Sequence, residues 1–145
     1  MKIALGSDHG GYDYKQAIAE HLLKQGYQII DCGTFSKESC DYPRFAFAAA
    51  KKVSSKEADY GILVCTTGEG IMMAANKVEH IRCSIGYNDE VTVLSRQHNN
   101  ANMIAFGQKF MALEDVLRRV DLFLKTEFEG GRHINRVNLI NQYHD

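Results

Sequence analysis

The residues best suited to chemistry follow an apolar run at residues 60–64. They combine a thiol, two hydroxyls, a carboxylate and two glycines: Cys65, Thr66, Thr67, Gly68, Glu69 and Gly70. The pattern of residues 71–77 predicts a helix directly after them. A glycine loop between a strand and a helix directs free backbone N–H groups and the positive end of the helix dipole at its occupant. The loop therefore suits a negatively charged ligand or a developing oxyanion.

Cys65 is the candidate base or nucleophile of this loop, because helix N-termini favour the thiolate form of cysteine. The alternative is that Cys65 is a small hydrophobic residue that ends a buried strand. Spacing alone supports both interpretations equally. Glu69 lies between two glycines, where a carboxylate is expected to face solvent rather than to catalyse.

The loop also resembles the start of a dinucleotide-binding motif. Gly68 and Gly70 have the required spacing, and Asp89 lies about 20 residues further on, where that motif has its ribose-binding acid. Met73 stands at the third glycine position, where a side chain is expected to crowd the helix against its strand. Nucleotide binding is thereby weakened as an interpretation but stays open.

Further polar residues lie near other predicted strand ends. Asp8 and His9 follow the first strand, where Asp8 could bind sugar hydroxyls and His9 an anion, or either could cap a helix. His98 precedes the fifth strand, either as a helix C-terminal cap or, with Asn99 and Asn100 beside it, as a group that binds a ligand.

Two arginines share one face of the last predicted helix. Arg132 and Arg136 are four residues apart, as a phosphate clamp would require, although two exposed arginines more often form a solvated surface. Lys109, just after the fifth strand, could add a third cation.

Strand and helix patterns alternate along the chain. Strands are predicted near residues 3–5, 27–31, 60–64, 81–86 and 101–107, and helices over 11–25, 45–53, 71–77, 90–97, 113–124 and 132–142. This order predicts an α/β Rossmann-like three-layer sandwich with a five-stranded parallel sheet. Ligands of such sheets bind beyond the carboxyl ends of the strands, so we expect Asp8, the 65–70 loop and His98 to converge on one crevice.

Composition narrows the class of protein. A chain of 145 residues that is 45% hydrophobic fits a single domain over residues 1–145. The 17 Lys and Arg against 18 Asp and Glu give no reason to expect nucleic acid or a membrane surface as partner. Four cysteines without zinc-site spacing, and the lack of a signal sequence or a long apolar run, favour reduced thiols in the cytoplasm.

Five motifs in order resemble the type B ribose-5-phosphate isomerase family, which also holds galactose-6-phosphate and allose-6-phosphate isomerases. They lie at residues 6–11, 41–43, 65–77 and 95–99, and at 129–133 together with Arg136. The resemblance covers essentially the whole chain. It implies conversion of an aldose phosphate to a ketose phosphate without metal or cofactor, in a homodimer or a tetramer of paired dimers. It also implies that the final helix extends to the dimer partner.

The resemblance also implies roles for single residues. Cys65 would move a proton between C1 and C2 while the backbone of residues 66–70 stabilises the enediolate oxygen. His98 would open the sugar ring as acid and base, and Asp8 and Asn99 would bind hydroxyls. The remaining substrate-binding positions are Tyr42 and the phosphate ligands, which are expected to be His9, Lys109, Arg132 and Arg136.

Three positions depart from the family pattern. Thr66 stands where glycine is usual, and Lys109 stands where many members have an arginine, whose fork binds phosphate through two hydrogen bonds. Ile71 stands where members without the cysteine have a catalytic glutamate, so Cys65 is the only base that the resemblance supplies. The expected substrate is ribose 5-phosphate; a hexose 6-phosphate (allose or galactose) and a non-catalytic nucleotide-binding module are the alternatives.

Overall fold

The protein contains one five-stranded parallel sheet with the strand order β2-β1-β3-β5-β4. We describe it from a computed structural model that covers residues 1–144. The strands are β1 (Lys2–Ser7), β2 (Gln28–Asp31), β3 (Tyr60–Cys65), β4 (Cys83–Ile85) and β5 (Met103–Gly107). The chain reverses direction across the sheet between β1 and β3, and such a switch point leaves a crevice at the carboxyl ends of the strands.

Helices connect the strands and cover both faces. A short 3-10 helix (His9–Gly11) precedes α1 (Tyr12–Lys24), and α2 (Tyr42–Ser54), α3 (Glu69–Ala75), α4 (Asp89–Gln97), α5 (Leu113–Lys125) and α6 (Arg132–Gln142) follow. The predicted helix at 45–53 begins earlier, at Tyr42, because Pro43 lies in its first turn, where no hydrogen-bonding N–H is needed. The predicted strand at 101–107 begins later, at Met103, because the Ala101 N–H closes the preceding helix by donating to Ser95 O at 2.9 Å.

Alternating residues of the strands fill two separate cores. On one face, Ala4 and Leu63 pack under the alanines of α2. On the other face, Leu5 and Ile62 pack under α1 and α5, with Phe123 at 0% exposure. A strand that is buried on both faces needs a continuous apolar run, as residues 3–5 of β1 and 62–64 of β3 provide. The predicted three-layer α/β arrangement is thereby confirmed.

The last helix, α6, has the predicted bounds but packs only lightly on the rest of the chain. Val137 is its one buried residue, while Ile134, Leu139 and Ile140 are 48%, 61% and 54% exposed. Its end is tied to the body by Arg82, whose Nη1 donates to Asn141 Oδ1 at 2.7 Å. Within residues 1–144, no helix has the length and apolar character needed to cross a membrane.

Candidate active site

The candidate site is built around the loop that follows β3. Ser7 of β1 pairs with Val64 of β3, so Asp8 and Cys65 emerge side by side at the carboxyl edge. Two backbone hydrogen bonds from the end of β5 fix the loop: Gln108 N–H donates to Cys65 O at 2.9 Å, and Lys109 N–H donates to Thr66 O at 3.2 Å. The loop is therefore held to the end of β5 on one side, and Asp8, which follows β1, lies on its other side.

The Cys65 thiol lies at the amino end of α3. It is buried, with 5% exposure, and its Sγ accepts a hydrogen bond from the Gly68 N–H at 3.1 Å. Gly68 has a φ of 86°, a conformation that favours glycine, and its own carbonyl accepts the Met72 N–H of the helix. The N–H and the helix end both direct positive partial charge at the sulfur, which suits a group that carries negative charge during a reaction.

Thr66 occupies space that a glycine in its place would leave open. Its Oγ1 fills the position that a Cβ on Gly10 would need, and Asp8 Oδ1 lies next to the same point. Asp8 is itself buried, and Oδ1 accepts the Gly11 N–H at 3.1 Å, which is the helix-capping role predicted as one alternative. Gly10 therefore allows the Thr66 hydroxyl and the Asp8 carboxylate to approach each other.

Tyr42 and His9 border the loop on its other side. The Tyr42 ring lies so close to Gly70 that a Cβ there would be 2.6 Å from Tyr42 Cζ. His9 Nδ1 accepts the backbone N–H of Cys40 at 3.2 Å, so a neutral His9 carries its proton on Nε2 and is a hydrogen-bond donor there. Thr67 and Glu69 are exposed, and the Thr67 hydroxyl accepts the Glu69 N–H at 3.1 Å.

His98 and Asn99 do not converge on this crevice, contrary to expectation. They lie between α4 and β5, and the nearby Asn102 O accepts the N–H of Gly61 near the start of β3. The physical reason is that a helix in this fold returns to the amino edge of the sheet, where the next parallel strand must begin. At about 3.3 Å per residue, the length of β3 separates the two edges by roughly 16 Å.

A second cluster of polar groups surrounds His98 at the amino edge. The His98 and His133 rings stack with centroids 4.3 Å apart and an angle of 13° between their planes. Glu129 Oε1 lies 3.8 Å from His98 Nε2 and 3.7 Å from His133 Nε2. Burial lowers the pKa of His133, and the nearby His98 and Arg132 lower it further.

Glu129 and His133 are the residues of this cluster that the sequence analysis missed. Their signal was their spacing of four residues, within a motif used only to identify the family. Arg132 and Arg136 are exposed on the same helix, α6, and Arg136 Nη1 donates to Arg132 O at 3.3 Å. The chain therefore divides the predicted site into two halves at opposite edges of the sheet.

The structure argues against dinucleotide binding, because the acid expected to bind the ribose, Asp89, is already paired with arginines. Asp89 is bound by Arg118 and Arg119, each with an Nε at 2.9 Å from a carboxylate oxygen, and these bonds lower the pKa of Asp89. Met73, expected to crowd the helix against its strand, is instead 62% exposed because the helix turns it toward solvent. The argument against nucleotide binding therefore rests on Asp89 and not on Met73.

The other cysteines differ from Cys65 in their surroundings. All four are free thiols. Burial raises the pKa of Cys83 in β4, and burial followed by the nearby Asp31 raises that of Cys32. Neither thiol accepts an N–H hydrogen bond at a helix end, which agrees with the interpretation of both as packing residues.

Comparison with known proteins assigns the family. The model of the ribose/galactose isomerase family matches residues 3–140. The chain belongs to this family. It is 45% identical to ribose-5-phosphate isomerase B of Escherichia coli over 139 residues, which are 96% of this chain and 93% of that protein.

Solved structures of relatives have the same fold. A ribose-5-phosphate isomerase B of Clostridium thermocellum is 49% identical, with a TM-score of 0.96 over 98% of this chain and 96% of that one. The Mycoplasma genitalium ribose-5-phosphate isomerase B, crystallised with bound ribulose-5-phosphate, is 40% identical, with a TM-score of 0.93 over 98% and 95% of the two chains. The family assignment and the α/β fold predicted from sequence are therefore confirmed.

Proposed function

We propose that this protein interconverts ribose 5-phosphate and ribulose 5-phosphate through an enediolate, as a single-domain enzyme of the cytoplasm. The observation that carries the proposal is the buried Cys65 thiol, which accepts the Gly68 N–H at the carboxyl edge of the sheet. It is supported by the relative with bound ribulose-5-phosphate, whose fold this chain shares. Four free thiols suit a reducing compartment.

In the proposed mechanism, Cys65 is the base. Its thiolate removes the proton from C2 of the open-chain aldose to give an enediolate with its charge on O1. The proton on O2 then passes to O1, and the thiol returns its proton to C1, which leaves the carbonyl at C2 of the ketose. The negative charge that develops on the oxygen is stabilised by backbone N–H groups of the 66–70 loop. Fixed dipoles of this kind typically contribute about 3–4 kcal/mol to the lowering of a barrier. Asp8, held beside the loop by the Gly11 N–H, accepts hydrogen bonds from sugar hydroxyls.

The other half of the site would come from a second copy of the chain. His98 and Asn99 are separated from Cys65 of the same chain by the length of β3, so one chain alone does not assemble the predicted set. A symmetric dimer provides two equal sites when each chain contributes both halves. The exposed apolar side chains of α6, Ile134, Leu139 and Ile140, are suited to burial against that partner.

Phosphate binding would then combine residues of both chains. One chain would supply Arg132 and Arg136 of α6 together with its His98 half of the site. The other chain would supply His9 and Lys109, which lie with Cys65 at the carboxyl edge of its sheet. The Nε2 of His9 is the ring nitrogen left to donate to phosphate, because Nδ1 already accepts the Cys40 N–H. Lys109 supplies a single charge in place of the arginine fork, and the paired arginines of α6 supply the planar geometry.

The experiment that tests this function is the initial rate of ketose formation from ribose 5-phosphate, measured beside allose 6-phosphate and galactose 6-phosphate with a chelator present. We expect a clear preference for the pentose. Preference for a hexose phosphate would keep the mechanism and change the substrate. Failure to convert any of the three would contradict the proposal and favour the nucleotide-binding module.

A further inference from the structure

The cluster of His98, Glu129 and His133 has the composition of a metal site. One ligand atom from each residue lies within 4.8 Å of the others. Two imidazole nitrogens and one carboxylate oxygen form a donor set that binds Zn²⁺ in many proteins, with a fourth position left for water. The proposed isomerisation uses His98 but no metal ion at this cluster.

The three ligand atoms are near one another without being bonded to one another. Glu129 Oε1 lies 3.8 and 3.7 Å from the two Nε2 atoms, which is beyond hydrogen-bond distance. Within residues 1–144, no other side chain or backbone group hydrogen-bonds to these three side chains. Tetrahedral Zn²⁺ with ligands at 2.0–2.2 Å requires ligand atoms about 3.3 Å apart, so each Glu129–histidine distance must shorten by a few tenths of an ångström. The two histidine nitrogens, which lie within 4.8 Å of each other, must approach as well.

The backbone that carries the ligands is already fixed. Glu129 N–H donates to Gln97 O at 3.0 Å, which joins the segment before α6 to the end of α4 beside His98. His133 follows Glu129 by four residues. Its N–H donates to Gly130 O at 3.1 Å, and this bond fixes the turn that brings the two side chains together. The His98 side chain is 38% exposed, and within residues 1–144 no hydrogen bond to its ring fixes the orientation of the ring. The near-parallel stack, with 13° between the ring planes, directs the two ring nitrogens side by side, so Zn²⁺ binding requires the His98 ring to rotate until both nitrogens face one ion.

We infer that His98, Glu129 and His133 form an inhibitory Zn²⁺ site. The ion takes the lone pair of His98 Nε2, and the imidazole can then neither accept nor return a proton at that atom. Binding depends on the placement of the three side chains and on the rotation of His98. Inhibition rests on the proposed function, because it requires His98 to act in ring opening.

The test is a titration of the metal-free protein with zinc chloride. Calorimetry measures the binding of Zn²⁺, and the isomerase rate is measured at each zinc concentration in the same buffer. We expect one Zn²⁺ per chain, inhibition that a chelator reverses, and visible Co²⁺ absorption typical of a tetrahedral site. Glu129→Gln and His133→Gln should each weaken Zn²⁺ binding by at least about 100-fold, since even outer-shell changes cost 10–100-fold. Inhibition is compared with each variant's own metal-free rate.

His144→Gln is the matched control, because His144 lies 3.1 Å from Glu79 in a histidine–carboxylate pair with only two ligands. We expect this variant to bind Zn²⁺ as the wild type does. Equal Zn²⁺ affinity in wild type, Glu129→Gln and His133→Gln would overturn the site and assign the metal to the thiols. Binding that is lost in both variants but never inhibits would keep the site and contradict the role of His98 in the proposed function.

Discussion

Replacement of Cys65 by alanine separates catalysis from packing. The thiol is the only side chain to which the proposed mechanism gives the transfer of a proton between C1 and C2. Cys83→Ala is a matched control, because it removes an equally buried thiol, 7% exposed, from a strand of the same sheet. The two variants lose the same atom from the core and differ in its place relative to the glycine loop and in the Gly68 N–H bond that Cys65 accepts.

The expected magnitudes follow from these surroundings. Loss of a general base typically lowers the rate about 10²- to 10⁴-fold, which corresponds to about 3–5 kcal/mol of barrier. Loss of one buried heavy atom and of the Gly68 N–H bond to sulfur costs about 1–2 kcal/mol of unfolding free energy. Cys83→Ala should show a similar loss of stability without the loss of rate, so the two effects can be distinguished.

The assay is kcat with ribose 5-phosphate, together with the free energy of unfolding in urea for the same preparations. We expect Cys65→Ala to be folded and nearly inactive, and Cys83→Ala to be folded and active. A Cys65→Ala protein with wild-type kcat would refute the mechanism. Equal losses of kcat in both variants would assign the effect to core packing.

Two further predictions concern charged residues. Arg136→Ala should raise KM for ribose 5-phosphate roughly 10- to 100-fold, because a charge-assisted bond to phosphate is worth about 1.5–3 kcal/mol; Arg136→Lys should lose less, and an unchanged KM in Arg136→Ala would identify a solvated surface residue. Asp89→Asn should be less stable than wild type at neutral pH, because Arg118 and Arg119 lower the pKa of Asp89 in the folded state. The difference in unfolding free energy between the two proteins should be full above about pH 4 and should vanish as the pH falls through the lowered pKa of Asp89. Urea unfolding at several pH values measures it, and a difference that persists at low pH would contradict the ion pair.

The carboxyl-edge half of the site could be predicted from the sequence because strand ends are local features. The apolar run at residues 60–64 and the glycines after it determine where β3 ends and α3 begins. In a sheet where β1 and β3 are neighbours, parallel pairing then brings Asp8 beside Cys65. The start of α6 could also be predicted from the sequence, because Gly130 and Gly131 interrupt the helical pattern just before Arg132.

The prediction placed His98 and Asn99 at the wrong edge of the sheet. It used only their proximity in sequence to β5, and that proximity does not show whether a residue lies at the start or at the end of the strand. His98 precedes β5, so it lies where that strand begins, and only the path of α4 reveals this. Met73 was misjudged for a related reason, since a motif position does not fix which way a helix turns its side chains. The stacking of His133 on His98 depends on how α6 returns to the sheet, which no local pattern of residues determines.

The most direct test of the account is a hybrid of two inactive chains. Cys65→Ala and His98→Asn variants carry different affinity tags, are expressed together, and the doubly tagged hybrid is purified. If each site takes Cys65 from one chain and His98 from the other, one of the two sites in a hybrid dimer is intact, and about half of wild-type kcat returns. Hybrid dimers as inactive as their parents would contradict a site shared between two chains.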